Sequence, residues 1–139
     1  LFIGFISCDS KDIVVETDLS TLEKQQQLWE SKGIDSYSFT QRISCFCPYE
    51  YTQPKEVVVW DGVIVSVAGV AYDAELQQSI LTVDARFDYI RESLAREPEM
   101  FSVEYDADYG FPSRFYFHFS LLIADTEVDY TFTDFTSQK

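Results

Sequence analysis

The sequence predicts an α+β fold, in which an antiparallel sheet of about six strands carries two helices on one face. Two observations lead to this prediction. Apolar residues at helical spacing occur twice along the chain, and each time they precede segments that alternate or are rich in valine and aromatic residues. Hydrophobic residues make up 46% of the 139-residue chain, which is enough for one sizeable core. The predicted order is helix, three strands, helix, three strands.

The first helix is predicted over residues 21–32. Ser20 and Glu23 have the spacing of a capping box, in which each side chain accepts a free backbone N–H from the other residue. Gly33 suits the position just after the helix, where the backbone takes a positive φ. Leu22, Gln26 and Trp29 are predicted to line one face of this helix, with Leu28 beside it.

Three strands are predicted to follow this helix. The first covers residues 36–47, where apolar and polar side chains alternate. Its apolar face consists of Tyr37, Phe39, Ile43, Cys45 and Cys47. Valine-rich strands at 57–60 and 63–67 are joined by Asp61-Gly62, a residue pair preferred in tight type I′ hairpins.

The second helix is predicted over residues 83–96, with Thr82 as its N-cap and Pro98 just beyond its end. Its apolar stripe consists of Val83, Phe87, Ile90 and Leu94. Three further strands are predicted, at residues 102–106, 113–120 and 127–135.

The N-terminal residues are typical of the end of a signal peptide. An apolar run ends with Ser7 directly before Cys8, and a polar stretch follows. This order resembles the bacterial lipobox, in which the cysteine receives acyl chains that anchor the protein to a membrane. The alternative is a short N-terminal strand with a buried Cys8. We expect residues 1–18 to be the signal-peptide end, lipobox and tether, and residues 19–139 to form a single domain.

The chain is strongly acidic, with a formal net charge of −14. This charge excludes nucleic acid as a partner, because nucleic-acid binding depends on lysine and arginine side chains that neutralise phosphates. It also opposes direct binding to anionic lipid headgroups, so attachment to a membrane needs an anchor. The negative charge is compatible with basic proteins, cationic peptides and metal cations as partners.

Cys45 and Cys47 could form a disulfide, a metal clip, a redox pair or two core residues. In an extended strand their Cα atoms would lie about 6.5–7 Å apart, at the upper limit of disulfide geometry, and a bend before Pro48 would bring them closer. A structural zinc site needs four cysteine or histidine ligands, and His118 is the only histidine. We therefore predict a Cys45–Cys47 disulfide, which suits an oxidising compartment.

Carboxylates alternate in two segments of the second half of the chain. The first segment contains Glu104, Asp106 and Asp108, and the second contains Asp125, Glu127 and Asp129. If the two segments were adjacent, their carboxylates could bind Ca²⁺, which favours oxygen ligands, or act as the acid and base of a glycosidase. A solvated surface is the simpler interpretation. No other cofactor is predicted.

Several short motifs occur in a fixed order along the chain. They are Cys45-Phe46-Cys47-Pro48, Asp61-Gly62 between valine strands, Thr82-Val83-Asp84, and Val103-Glu104-Tyr105-Asp106 followed by Tyr109-Gly110-Phe111-Pro112. In combination they resemble the domain-of-unknown-function family 6174, and the resemblance covers about residues 19–135. The resemblance implies an exported α+β domain of the kind found in bacterial secreted proteins and lipoproteins. It supplies no catalytic residues.

These observations together predict a non-catalytic binding or inhibitor-like module tethered in the bacterial cell envelope, on its periplasmic or extracellular face. Its partner would be a protein or peptide of the envelope. The alternative is an envelope hydrolase or calcium-binding domain that uses the acidic cluster around Asp106. An enzyme needs a concave pocket with convergent carboxylates, whereas a binding module needs an exposed apolar or acidic patch.

Overall fold

The computed structural model describes residues 13–16, 18–123 and 126–138, in which two helices pack against an eight-stranded antiparallel sheet. The helices are α1 (Leu19–Ser31) and α2 (Val83–Ala95). The strands are β1 (Ile13–Glu16), β2 (Tyr37–Cys45), β3 (Lys55–Trp60), β4 (Val63–Val67), β5 (Val70–Ala71), β6 (Met100–Asp106), β7 (Pro112–His118) and β8 (Glu127–Ser137). Their order across the sheet is β1-β6-β7-β8-β2-β3-β4-β5. The predicted α+β class is confirmed.

The sheet contains two strands more than the predicted six, and one of them precedes the first helix. β1 lies within residues 1–18, the stretch assigned to the signal-peptide end and tether, and it pairs with β6 at the edge of the sheet. The segment Ile13-Val14-Val15-Glu16 does not alternate between apolar and polar residues, so the alternation that predicts strands such as β2 is missing here. β5 has only two residues and follows a second tight turn at Ala68-Gly69, where φ is 53° and 79°.

α1 begins earlier than predicted, and its N-cap is Asp18. The Asp18 carboxylate accepts the backbone N–H of Thr21 at 3.0 Å, whereas Ser20 is already helical. The predicted capping box of Ser20 and Glu23 is therefore wrong. An aspartate caps as well as a serine does, and its charge also complements the positive end of the helix dipole. Gly33 takes the predicted positive φ, at 63°.

Two local predictions in the middle of the chain are confirmed. Asp61 and Gly62 have φ of 52° and 82°, as a type I′ turn between β3 and β4 requires. Thr82 is the N-cap of α2, since its hydroxyl oxygen accepts the backbone N–H of Ala85 at 3.1 Å.

Both helices pack on the same face of the sheet, as predicted. Trp29 of α1 makes an edge-to-face contact with Tyr37 of β2, with ring centroids 5.6 Å apart. Tyr89 of α2 stacks on Phe115 of β7 at 5.2 Å. Among the described residues, neither helix nor any other helical segment is long and apolar enough to cross a membrane.

Arg86 of α2 is fully buried in this core. Its guanidinium carbon lies 4.3 Å from the ring centroid of Phe39 and 3.7 Å from that of Phe132. Nη1 donates to the carbonyl of Pro112 at 2.9 Å, while Nη2 has no hydrogen-bond partner in the described part of the chain. Burial lowers the pKa of Arg86 to about 9, so the side chain is still a cation at neutral pH.

The sheet has two ends. The end near Ile13, the first residue of β1, is termed proximal, and the opposite end is termed distal. At the proximal end, Ile13 of β1 lies opposite Asp106 of β6. At the distal end, β2 finishes at Cys45, and His118 of β7 lies opposite both Met100 and Glu127. β6 runs between the two ends and spans about 20 Å.

Candidate functional site

The sheet face opposite the helices carries mostly polar side chains and is termed the open face. Alternation along β7 directs Phe115 and Phe117 into the core and Arg114, Tyr116 and His118 to the open face. Neighbouring strands contribute Thr40, Arg42, Ser44, Glu104, Asp129 and Thr131.

Arg114 connects two acidic side chains across three strands of the open face. Its Nε and Nη2 bind the two carboxylate oxygens of Asp129 at 3.1 and 2.6 Å, and Nη1 lies 4.0 Å from Glu104. The hydrogen bonds from Arg114 to Asp129 raise the pKa of Arg114 further above its usual value. Because the pair is partly exposed, its contribution to stability is small, about 1 kcal/mol or less. The predicted acidic ligands on the open face are Glu104, Glu127 and Asp129. Arg114 therefore engages two of the three, Glu104 and Asp129.

Tyr116 and Glu127 form the second polar pair of the open face, nearer the distal end. The Tyr116 hydroxyl donates to the Glu127 carboxylate at 2.5 Å, and His118 Nδ1 lies 3.4 Å from the same hydroxyl. The hydrogen bond to Glu127 raises the pKa of Tyr116. Tyr116 is therefore a neutral hydrogen-bond donor rather than a base at physiological pH.

A groove of about 320 Å³ opens beside this pair. Its walls consist of Ser44, Cys45, Phe46, Tyr116, Glu127 and Asp129. A neighbouring depression of about 280 Å³ shares Ser44 and Asp129 with it and continues along β2 and β8 to Arg42 and Thr131. Together the two form a shallow channel on the open face that ends at the distal end of the sheet.

Cys45 and Cys47 are joined as a disulfide in the structure, and their Cα atoms lie 5.4 Å apart. This distance is shorter than in an extended strand because β2 ends at Cys45 and the chain bends before Pro48. The bend also turns Phe46 outward, where it is 69% exposed and forms one wall of the groove.

A group of exposed apolar side chains occupies the distal end and is termed the distal surface. It consists of Phe46 (69% exposed), Met100 (51%), Leu121 (53%), Leu122 (94%) and Ile123 (52%). Three of them are consecutive in the loop after β7, which sequence analysis did not identify as a surface. The predicted strand 113–120 ends two residues too late, since β7 ends at His118.

Hydrogen bonds hold this loop in place with its apolar side chains outward. The Glu99 carboxylate accepts the backbone N–H of Leu121 at 2.9 Å. The Thr126 hydroxyl donates to the carbonyl of Ile123 at 2.8 Å and accepts the N–H of Ser120 at 3.1 Å. The leucines are therefore exposed although Ser120, Leu121 and Ile123 each form a hydrogen bond to a side chain.

The predicted calcium ligands do not converge. Asp106 accepts the backbone N–H groups of Asp108 and Tyr109 at 3.1 and 2.8 Å, so its carboxylate organises the turn after β6. Asp108 is exposed, and Glu104 lies on the open face beside Arg114. Within residues 13–16, 18–123 and 126–138, no three histidine, cysteine or carboxylate side chains are grouped as a metal site would need. Calcium binding stays a prediction.

Two further predictions concern positions outside the described residues. Cys8, the predicted lipidation site, and Asp125 of the second acidic segment both fall there.

Comparison with protein families gives one match, to the family of unknown function DUF6174, over residues 21–137. The chain belongs to DUF6174. No curated protein and no solved structure matches it. The part of the DUF6174 domain covered by the match includes both helices from Thr21 onward, the disulfide loop, the groove and the distal surface. β1 lies outside the match.

The exposed apolar loop of the distal surface can be found as a pattern in the sequence of this DUF6174 domain. Leu121-Leu122-Ile123 is an apolar run that does not alternate, and it falls between two strands whose side chains do alternate. An apolar run at the end of a strand can be buried in the core or can form an exposed surface, and only the tertiary structure distinguishes the two. The buried Arg86 had no comparable signal, because charged residues in helices are usually solvated.

Proposed function

We propose that this DUF6174 domain is a non-catalytic binding module, tethered in the bacterial cell envelope through Cys8, that docks a protein partner on its distal surface. The observation that carries the proposal is the exposed loop Leu121-Leu122-Ile123, in which Leu122 is 94% exposed although hydrogen bonds order the turn. The five side chains of the distal surface expose on the order of 500 Å² of apolar area, near the upper limit for a typical monomer.

The position of β1 supports the same arrangement. β1 begins at the proximal end, opposite Asp106, so the chain leads toward Cys8 from that end. The distal surface lies about 20 Å from the start of β1, the length of β6, so the proposed anchor and the proposed docking surface join the domain at opposite ends of the sheet.

The state of the carboxylates favours binding over hydrolysis. Asp129 is held by two hydrogen bonds from Arg114, and Asp106 accepts two backbone N–H groups. A hydrolase would need two carboxylates facing one cleft with separate acid and base roles. Glu127 and Asp129 both line the groove, but Arg114 binds both carboxylate oxygens of Asp129, so among the described residues Glu127 has no second available carboxylate beside it there.

The anchor is tested by membrane fractionation and intact-mass analysis of the precursor and its Cys8→Ala variant in the native host. We expect the wild type in the membrane fraction with an acyl mass increment, and the variant in the soluble fraction without one. Two soluble, unmodified proteins would contradict the anchor.

Docking is tested by placing a photo-reactive phenylalanine analogue at position 122 or at position 63 of the tethered protein. Val63 is the matched control, because it is also an exposed apolar residue but lies in the hairpin at the proximal end. We expect a defined protein adduct from position 122 that disappears when Leu121→Asp is added. Equal adducts from both positions, or none from position 122, would contradict docking at the distal surface.

A further inference from the structure

The groove beside the distal surface combines an aromatic wall with a carboxylate. Phe46 belongs to both the groove and the distal surface, so a chain docked on the distal surface can continue directly into the groove. Across the groove lie the phenol of Tyr116 and the carboxylate of Glu127. The part of the groove lined by Tyr116 and Glu127 is thus adjacent to the distal surface.

Glu127 keeps most of its hydrogen-bonding capacity for a ligand. Among the described residues its carboxylate accepts one hydrogen bond, from Tyr116, whereas an ionised carboxylate has about four acceptor sites. In the described part of the chain no lysine or arginine forms a salt bridge with Glu127, while the neighbouring Asp129 is held by Arg114. His118, through its 3.4 Å contact with Tyr116, and Asp129, which lies opposite Tyr116 on β8, are further titratable groups near this pair.

These features match the chemistry of a guanidinium. A planar guanidinium stacks on an aromatic ring and donates two parallel hydrogen bonds to a carboxylate, which a lysine ammonium cannot do. The net charge of −14 attracts a cationic segment and opposes the docking of a second copy of this chain. Acidic charge likewise opposes an anionic membrane surface.

We propose that the groove accepts an arginine side chain of the partner, stacked on Phe46 and bound by Glu127, while flanking apolar residues of the same segment cover the distal surface. The inference rests on the proposed function, because it deepens the chemistry of that docking site. It identifies the partner's contact segment as apolar residues that flank an arginine.

The test uses the full chain carrying Cys8→Ala and three fluorescent peptides of sequence acetyl-Leu-Phe-X-Leu-Phe-amide, in which X is arginine, citrulline or lysine. Citrulline keeps the shape of arginine and removes its charge. By fluorescence anisotropy we expect the arginine peptide to bind at least tenfold more tightly than the citrulline peptide, and more tightly than the lysine peptide. The arginine preference should fall as salt is raised, as an ion pair requires.

Two variants localise the preference. Glu127→Gln should abolish the tenfold ratio between the arginine and citrulline peptides. Glu104→Gln removes an acidic residue of the open face that does not line the groove, so it should leave the ratio unchanged.

The possible failures separate this inference from the proposed function. If all three peptides bind equally and Leu122→Asp abolishes their binding, docking at the distal surface stands and the arginine assignment is overturned. A ratio that survives Glu127→Gln, a lysine peptide equal to the arginine peptide, or no binding of any peptide also overturns the arginine assignment. Photo-crosslinking from position 122 then decides the docking proposal by itself.

Discussion

Replacing Arg86 with methionine tests why the core holds a cation that pairs with no carboxylate among the described residues. We expect the free energy of unfolding of Arg86→Met to equal that of the wild type or exceed it by up to about 2 kcal/mol. The reason is that favourable and unfavourable contributions at the guanidinium nearly cancel, and methionine fills a similar volume without a charge.

The contacts of Arg86 give the magnitude. Burial lowers its pKa to about 9, far below the usual value of an arginine, so the folded protein disfavours the cation by about 5 kcal/mol relative to water, with its contacts included. The contacts that limit this cost are the rings of Phe39 and Phe132 and the hydrogen bond to the Pro112 carbonyl, at about 2 kcal/mol each. Methionine loses these contacts together with the cost of the charge, and replacing a buried charge by an apolar side chain of similar volume is on balance neutral or slightly stabilising.

Two companion variants make the test specific. Arg86→Lys keeps the charge but loses the planar group that stacks between two rings, so we expect a loss of about 3 kcal/mol. Arg86→Ala leaves a cavity and should also lose about 3 kcal/mol. Urea unfolding followed by tryptophan fluorescence measures all three. If Arg86→Met lost more than about 3 kcal/mol while Arg86→Lys kept wild-type stability, the charge itself would be the stabilising element and the balance above would be refuted.

The difference in the free energy of unfolding between the wild type and Arg86→Met should depend on pH, with a sign that follows from the lowered pKa of Arg86. The unfolded chain keeps the Arg86 proton up to the high pKa of an ordinary arginine, whereas burial lowers the pKa in the folded wild type, which releases the proton near pH 9. Above that pH the unfolded state binds more protons, so Arg86 makes the folded wild type more stable by about 1.4 kcal/mol per pH unit. The stability difference between wild type and Arg86→Met should therefore shift toward the wild type above pH 9. Burial raises the pKa values of Tyr89 and Tyr130, which destabilises both proteins in alkali and cancels in the difference. The contribution of Tyr37 does not cancel, because burial raises its pKa in both proteins but the Arg86 cation lowers it in the wild type alone.

Three further changes have defined outcomes. Gly110→Ala should cost about 3 kcal/mol or more in thermal unfolding, because a Cβ there would lie 2.5 Å from the Gln25 carbonyl oxygen in a backbone with φ of 86°. Gly69→Ala is its control, since φ is also positive but nothing lies within 4 Å, and we expect a loss of about 1 kcal/mol. Replacing Cys45 and Cys47 together with serine should cost about 2 kcal/mol or less, because the disulfide closes a very short loop; two free thiols in a titration of the denatured wild type would instead show that the bridge is absent. Arg114→Ala should change the free energy of unfolding by about 1 kcal/mol or less, and the effect should vanish in high salt because the ion pair is partly exposed.

Local signals in the sequence were sufficient where a residue's role depends on its immediate neighbours. Thr82 caps α2 and Asp61-Gly62 makes the hairpin turn, because both features follow from backbone groups within a few residues. Alternation in β2 also gives the buried face correctly at Tyr37, Phe39 and Ile43.

Local signals failed where a distant segment decides the outcome. Alternation places Gln41 on the buried face of β2, but its polar amide can be buried there only because it bonds to the backbone at Ser79 and Leu81, about 40 positions away. Arg86 is buried because Phe39 and Phe132 come from strands that only the fold brings to α2. Asp18 replaces Ser20 as the cap of α1, a choice between neighbouring candidates that sequence spacing does not resolve.

Both local sequence patterns and contacts between distant segments determine the candidate site. Alternation along β7 accounts for Arg114, Tyr116 and His118 on the open face, since residues two apart share a face of a strand. The strand order sets the composition of the end at which we propose docking, because β2, β7 and β8 bring the disulfide loop, Glu127 and the apolar loop to the distal end. β1 enters at the other end of the same sheet. In the proposed arrangement the start of β1 and the docking surface therefore lie at opposite ends of one antiparallel sheet, and the rigidity of its strands keeps the two apart.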